Sequence, residues 1–271
     1  MLGTLTLRIL TAVVVLPIFV AAIFLLPNSW WSIALVVPLL VAGHEWSRLA
    51  GFAHHWEILF LATLTAGCAL LWIIANYGAA RSGTTSIAAY RTVYALSALF
   101  WCVIAPCWLW LKLIVRHPIT VAAVGIMVLL PPWLALVQLQ NDAVLLLALL
   151  AVVWIADSMA YFTGRKLGRH KLAPAISPGK TWEGVGGALI AVTVYALLLH
   201  SLLFPAYELQ LLIAALLVMT CFSIVGDLFE SWLKRSAGVK DSGSIFPGHG
   251  GMLDRIDGVT AALPLAALIF I

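Results

Sequence analysis

Long apolar runs alternate with short polar breaks along almost the whole chain. A helix needs about 20 apolar residues to cross a hydrocarbon core of roughly 30 Å. Nine runs approach or exceed that length: residues 8–26, 30–43, 58–76, 93–114, 119–138, 143–163, 184–204, 208–230 and one beginning near residue 258. The second is short, with Asn28, Ser29, His44 and Glu45 close on its flanks. The last has some 14 residues, which at about 1.5 Å each reach only about 21 Å, so it is expected to thin the bilayer locally. The first run, behind Arg8, is longer than the usual apolar stretch of a secretory signal, and no small-residue cleavage site follows; it is read as a span. The runs are continuous, whereas barrel strands alternate apolar and polar positions. The pattern predicts an all-α polytopic membrane protein with about nine transmembrane helices.

The polar breaks orient these helices. With the N-terminus in the cytoplasm, 13 of the 15 Lys and Arg residues fall on the cytoplasmic side, and only Arg81 and Arg91 fall opposite. That asymmetry obeys the positive-inside rule. The chain reads as one membrane domain, with residues 1–142 as scaffold and residues 143–271 carrying the charged loops. Neither an internal repeat nor a low-complexity linker interrupts it, and the inverted halves of many transporters are not evident.

Composition narrows the class further. The chain is 63% hydrophobic and only 10% charged, against roughly 25% charged in an ordinary soluble domain. So few charges cannot cover a soluble protein of 271 residues, which excludes a soluble enzyme as well as a disordered chain. The net charge of +4 arises in the membrane loops, so it reads as topology and gives no expectation of nucleic acid. Twelve Trp suit the membrane interface. Cys68, Cys102, Cys107 and Cys221 lie in apolar runs without metal or disulfide spacing. His44, Glu45, His54, His55 and Glu57 read as an interfacial polar loop, although their types would suit a metal.

The remaining charges are concentrated. Residues 157–183 and 227–257 hold 16 of the 26 charged groups. An acid inside a span is costly, and is a candidate functional group by default. Asp227, Glu230, Ser231, Lys234 and Arg235 are spaced to share one helical face, which should look onto a wet cavity or the protein interior. An interfacial helix end with snorkelling charges explains the same pattern. The next segment adds Lys240, Asp241, the run from Pro247 to Gly251 containing His249, and then Asp254, Arg255 and Asp257. Asp254 and Asp257, three apart, would point the same way from one helical turn. Hard oxygen ligands of this kind suit Mg²⁺ with substrate phosphates, and the Lys and Arg residues suit phosphate oxygens. Upstream, Asp157, Tyr161 and Arg165 share a face. Ser177, Pro178, Gly179, Lys180, Thr181, Trp182, Glu183 and Gly184 read either as a turn and helix cap or as a phosphate-binding turn with Lys180 as its cation. His249 is either a phosphate or proton contact or part of a structural turn.

Ser231-x-x-Lys234-Arg235-x₄-Lys240-Asp241-x₅-Pro247-x-His249-Gly250-Gly251-x-x-Asp254-Arg255-x-Asp257 closely resembles the signature of phosphatidate cytidylyltransferases, the CDP-diacylglycerol synthases. The upstream Asp157-x-x-Ala160-Tyr161-x-x-Gly164-Arg165 and Ser177-Pro178-x-Lys180-Thr181-x-Glu183-Gly184 are similar too. These motifs cover the C-terminal 115 residues or so; the N-terminal half resembles the family mainly in hydropathy. The resemblance implies transfer of a cytidylyl group from CTP to phosphatidic acid at the cytoplasmic face of a bacterial-type inner membrane, in phospholipid biosynthesis. It implies Mg²⁺ (with Mn²⁺ as a substitute) on Asp227, Asp254 and Asp257, a second cation, divalent or monovalent such as K⁺, and a homodimer. It also implies phosphate contacts from Lys180, Lys234, Arg235, Lys240 and Arg255, with Ser177, Thr181, Glu183, Asp157, Tyr161, Arg165 and Ser231 on the substrate side. A CDP-alcohol phosphotransferase is the rival enzyme, but the Asp254-x₂-Asp257 spacing does not fit it. An ion-coupled transporter is the rival from another class, but it calls for charges near mid-span.

Overall fold

The computed structural model describes residues 4–81, 83–245 and 250–271, with side chains described for 13–74, 87–245 and 250–271. His249 and the side chain of Arg8 lie outside the described residues. The described helices are α1 (Thr4–Leu25), α2 (Asn28–Ala34), α3 (Val36–Leu49), α4 (His54–Arg81), α5 (Gly83–Leu99), α6 (Ala105–Leu111), α7 (Pro118–Leu139), α8 (Ala143–Leu167), α9 (Trp182–Leu202), α10 (Leu209–Ser236) and α11 (Leu253–Phe270). The chain is thus an all-α polytopic membrane protein. Among the described residues six stretches are long and apolar enough to cross a membrane: His54–Ile74, Ile87–Leu111, Pro118–Leu139, Ala143–Leu167, Trp182–Leu202 and Leu209–Ser236.

Two prolines explain where long helices break. Pro38 has no N–H for the carbonyl of Ala34, and the rod jogs at Leu35 into α2 and α3. Pro106 likewise has nothing to donate to Cys102, and the π-helical turn Phe100–Ile104 joins α5 to α6. That turn sets Phe100 and Trp101 edge-on to the buried Phe229 of α10, at ring separations of 5.6 Å.

Polar ties lock the N-terminal helices to the rest. Asn28 donates to the Val137 carbonyl and to Gln140, while Gln140 donates to the carbonyls of Ile23 and Leu26. The turn between α1 and α2 is thereby pinned to the end of α7. Asp142 caps α8, accepting from the Leu145 N–H at 2.9 Å, the ordinary helix end its sequence position suggests.

Two expectations need correction. The C-terminal helix begins at Leu253, and its 18 residues reach about 27 Å. Residues 258–267 are buried throughout, and α11 packs against α5, α7, α8 and α10. It is a core helix that meets protein where lipid was expected, so it has no reason to thin a bilayer. Likewise, Pro178 and Gly179 do not form the turn. They lie in strand β2 (Ser177–Thr181), antiparallel to β1 (Lys171–Ala173), and residues 174–176 turn instead. A two-stranded sheet has only edge strands, where a missing proline N–H is tolerated.

Small residues set the crossing that matters most. α10 and α11 meet where Gly226 lies against the backbone of Asp257 and Gly258 lies against Ser223. A Cβ at Gly226 would stand 2.5 Å from the Asp257 carbonyl oxygen, which cannot rotate away. This close approach, typical of small residues between membrane helices, brings Asp227 beside Asp257. Gly226→Ala is therefore expected to destabilise the fold by about 1–3 kcal/mol, as overpacked cores do, measurable by thermal unfolding in detergent. Unchanged stability would contradict this crossing.

Candidate active site

The charged stripe of α10 turns inward as its spacing predicts. Asp227 accepts from the Ser231 hydroxyl at 3.3 Å, one turn further on. Its second oxygen lies 2.6 Å from the ammonium of Lys180, carried in by β2. One turn below, Lys234 stands 2.5 Å from Glu230 and 2.5 Å from Asp254, all three largely buried. The result is an alternating set of charges shared by β2, α10 and α11.

Asp254 has both oxygens engaged. One pairs with Lys234, and the other accepts from the backbone N–H groups of Ser242 and Gly251 at 2.9 and 2.8 Å, with the Ser242 hydroxyl 2.9 Å away. Burial alone would raise this carboxyl, but Lys234 and the two N–H groups hold it below its ordinary value. Asp257 accepts from the Gly258 N–H at 2.7 Å. Its other oxygen carries no hydrogen bond among the described residues.

Asp157 joins this group. It sits on α8 within electrostatic range of Asp227, Lys180 and Arg255, and Asp257 in turn feels Asp227, Glu230 and Asp157. Asp157 is solvent-accessible and makes no hydrogen bond or ion pair among the described residues. Three carboxylates from three helices therefore converge on one region, with Lys180 and Arg255 as the nearby cations. Among the described residues no three His, Cys, Asp or Glu side chains close a ready-made metal cage. The donor chemistry nevertheless suits a hard cation, because Asp157 and Asp257 hold carboxylate oxygens that no protein donor uses.

Other predicted positions fall around this centre. Thr181 caps α9, accepting from the Gly184 N–H at 3.1 Å, so its hydroxyl serves the helix. Glu183 accepts from the His170 N–H and lies 2.6 Å from its imidazole, buckling the hairpin to α9. Ser177 lies in β2 opposite Ala173. Arg165 donates to the Tyr161 hydroxyl at 2.9 Å, both exposed on α8. Arg235 does not join the α10 stripe; it donates to the Val239 carbonyl at 3.0 Å and closes the helix end. Lys240 and Asp241 are exposed and make no hydrogen bond or ion pair among the described residues.

The sequence places Glu230 on the α10 stripe without a role, and the structure shows it as the partner that holds Lys234. One residue of the centre escaped the sequence reading altogether. Glu45 read as part of a polar loop, yet it is only 3% exposed and meets the segment before α11. Its neighbour His44 lies in α3 and pairs with Glu57 of α4 at 2.6 Å, so these residues belong to helices where a loop was expected.

Comparison with known proteins follows this geometry. A model of the cytidylyltransferase family matches residues 6–271. The phosphatidate cytidylyltransferase of Pseudomonas aeruginosa is 37% identical over 278 residues, covering 97% of this chain and 95% of that protein. The phosphatidate cytidylyltransferase of Haemophilus influenzae is 30% identical over 286 residues, covering 97% of each. That of Brucella melitensis is 52% identical over 124 residues, covering 45% of this chain and 44% of that protein.

Proposed function

We propose, because this chain belongs to the cytidylyltransferase family and gathers its charged side chains at one end of a helical bundle, that it makes CDP-diacylglycerol and pyrophosphate from CTP and phosphatidic acid. The observation that carries the reading is the convergence of Asp157, Asp227 and Asp257 beside Lys180, with Asp254 one turn from Asp257 and Lys234 two turns from Asp227. A lipid headgroup and a polyanionic nucleotide can meet only where apolar helices end in ionised groups.

An oxygen of the lipid phosphate attacks the α-phosphorus of CTP, the new P–O bond forms, and the bond to the β-phosphate bridging oxygen breaks to release pyrophosphate. The attacking oxygen is already anionic near neutral pH, so no side chain needs to remove a proton. Lys180 and Arg255 are placed to neutralise phosphate oxygens, and Lys234 holds Asp254 in register. Mg²⁺, when bound, offsets the charge of the triphosphate. Asp257 and Asp227 would hold it, Asp227 by releasing Lys180 to the phosphates, with Asp157 adding negative charge beside them. Asp254 would join only by exchanging its lysine partner for the metal. A second cation, divalent or monovalent, would draw on the same acidic group. The same reading puts the protein in a bacterial-type cytoplasmic membrane with this end facing the cytoplasm, which the asymmetry of Lys and Arg favours, and as a homodimer, which the family resemblance implies.

The test is incubation of the purified protein with CTP, phosphatidic acid and Mg²⁺. Pyrophosphate release that requires all three is the expected result. Release without the lipid, or none with it, would overturn the reading.

A further inference from the structure

Glu45 sits near the end of α3, in the half of the chain expected to be scaffold, yet its carboxylate is buried against the segment that leads into α11. One oxygen accepts from the Met252 N–H at 3.0 Å and the other from the Leu253 N–H at 2.9 Å. These N–H groups open α11, where no intrahelical acceptor exists and the helix dipole favours negative charge. The Ser242 hydroxyl lies 3.0 Å from Glu45 and 2.9 Å from Asp254, and its single proton serves either carboxylate.

The glycines around this point fit the same carboxylate. A Cβ on Gly243 would run into Glu45, and one on Gly251 would run into both oxygens of Glu45 and into the Ser242 hydroxyl. Glycine-rich turns often open backbone amides to a phosphate. In the structure the Gly251 N–H grips Asp254, and the bare α-carbons of Gly243 and Gly251 make room for Glu45.

We infer that Glu45 is a positioning residue of the active centre, which fixes Ser242 and residues 251–253 and through them the direction in which α11 presents Asp254 and Asp257. The inference deepens the cytidylyltransferase reading and rests on it. A glutamine at this position offers one acceptor oxygen and turns an amide N–H toward a backbone donor, so at least one of the Met252 and Leu253 N–H groups loses its partner. The catalytic carboxylates then stay in the chain but lose their register.

The experiment compares wild type with Glu45→Gln and Ser242→Ala. Glu45→Gln is expected to lower kcat by about 10–100-fold, the scale of a misplaced reacting group, and to raise the Mg²⁺ concentration for half-maximal rate several-fold. The KM for phosphatidic acid should change less than about two-fold, since nothing in that contact set is altered. A merely structural role would lower the amount of active protein without moving the Mg²⁺ midpoint, and that result would overturn the inference. Hydrogen exchange at the amides of residues 250–254 reads the tether without turnover. Faster exchange in Glu45→Gln is expected, and unchanged protection would overturn the inference even if the protein proved inactive on CTP. Should Glu45→Gln fail to accumulate in membranes, Ser242→Ala keeps the carboxylate and both backbone contacts. It is expected to shift kcat and the Mg²⁺ midpoint in the same direction by a smaller factor, and an unshifted midpoint there would count against the inference. An inactive wild type with faster exchange in the variant would overturn the substrate reading alone.

Discussion

Asp227→Asn is expected to lower turnover by about 10²–10³-fold while leaving the helical bundle folded. The side chain stands at the α10–α11 crossing, with one oxygen 2.6 Å from Lys180 and the other accepting from Ser231 at 3.3 Å. Asparagine has the same shape and can still accept from Ser231. It loses the negative charge that Lys180 answers and that a divalent cation would need. Stability should change little, because the Lys180–Asp227 pair is about a quarter exposed on each side and solvent screens it; such pairs contribute roughly 0–1 kcal/mol. Turnover with CTP, phosphatidic acid and Mg²⁺, set beside thermal unfolding in detergent, measures both halves. Wild-type turnover in the variant would remove Asp227 from the proposed centre.

The lysine two turns along α10 should behave in the opposite way. Lys234 is 11% exposed and lies between Glu230 and Asp254, each 7% exposed. Lys234→Met leaves two nearly buried carboxylates facing each other without a cation, and breaking a buried pair costs about 3–5 kcal/mol. The expected result is a large fall in unfolding temperature, with loss of activity following from loss of fold. Lys180→Met removes a more exposed partner and should cost activity with little stability. Equal effects of the two substitutions on unfolding would contradict the difference in burial.

Much of this was legible in the chain because one dimension sufficed for it. The helices follow from continuous apolar runs, and the inward face of α10 follows from the spacing of Asp227, Glu230, Ser231 and Lys234. The breaks beside Pro38 and Pro106 fall inside the apolar runs 30–43 and 93–114, which hydropathy alone reads as unbroken. The burial of α11 was not legible, because a face against lipid and a face against another helix are equally apolar. The hairpin was hidden in three and five residues that contain Pro178 and Gly179, poor strand formers held by the pairing itself. Arg235 shares the periodicity of the stripe, but it lies in the last turn of α10, where a free backbone carbonyl beyond the helix offers a nearer partner. Glu45 could not be found by spacing at all. Nothing near it in the chain resembles its partners.

That last feature bears on how the molecule is put together. Glu45 is separated from Met252 and Leu253 by 207 and 208 positions, so their contact closes a loop spanning most of the chain. Local helix pairs such as α8 with α9 and α10 with α11 need only short connections, and they form at a far smaller entropic cost. The long closure therefore comes late in assembly, after the helices between have found one another. Until then the first turn of α11 lacks the carboxylate that accepts from its Met252 and Leu253 N–H groups. Order in the reaction centre is thus a readout of a finished bundle, and a half-assembled chain in the membrane lacks the arrangement needed to act on nucleotide.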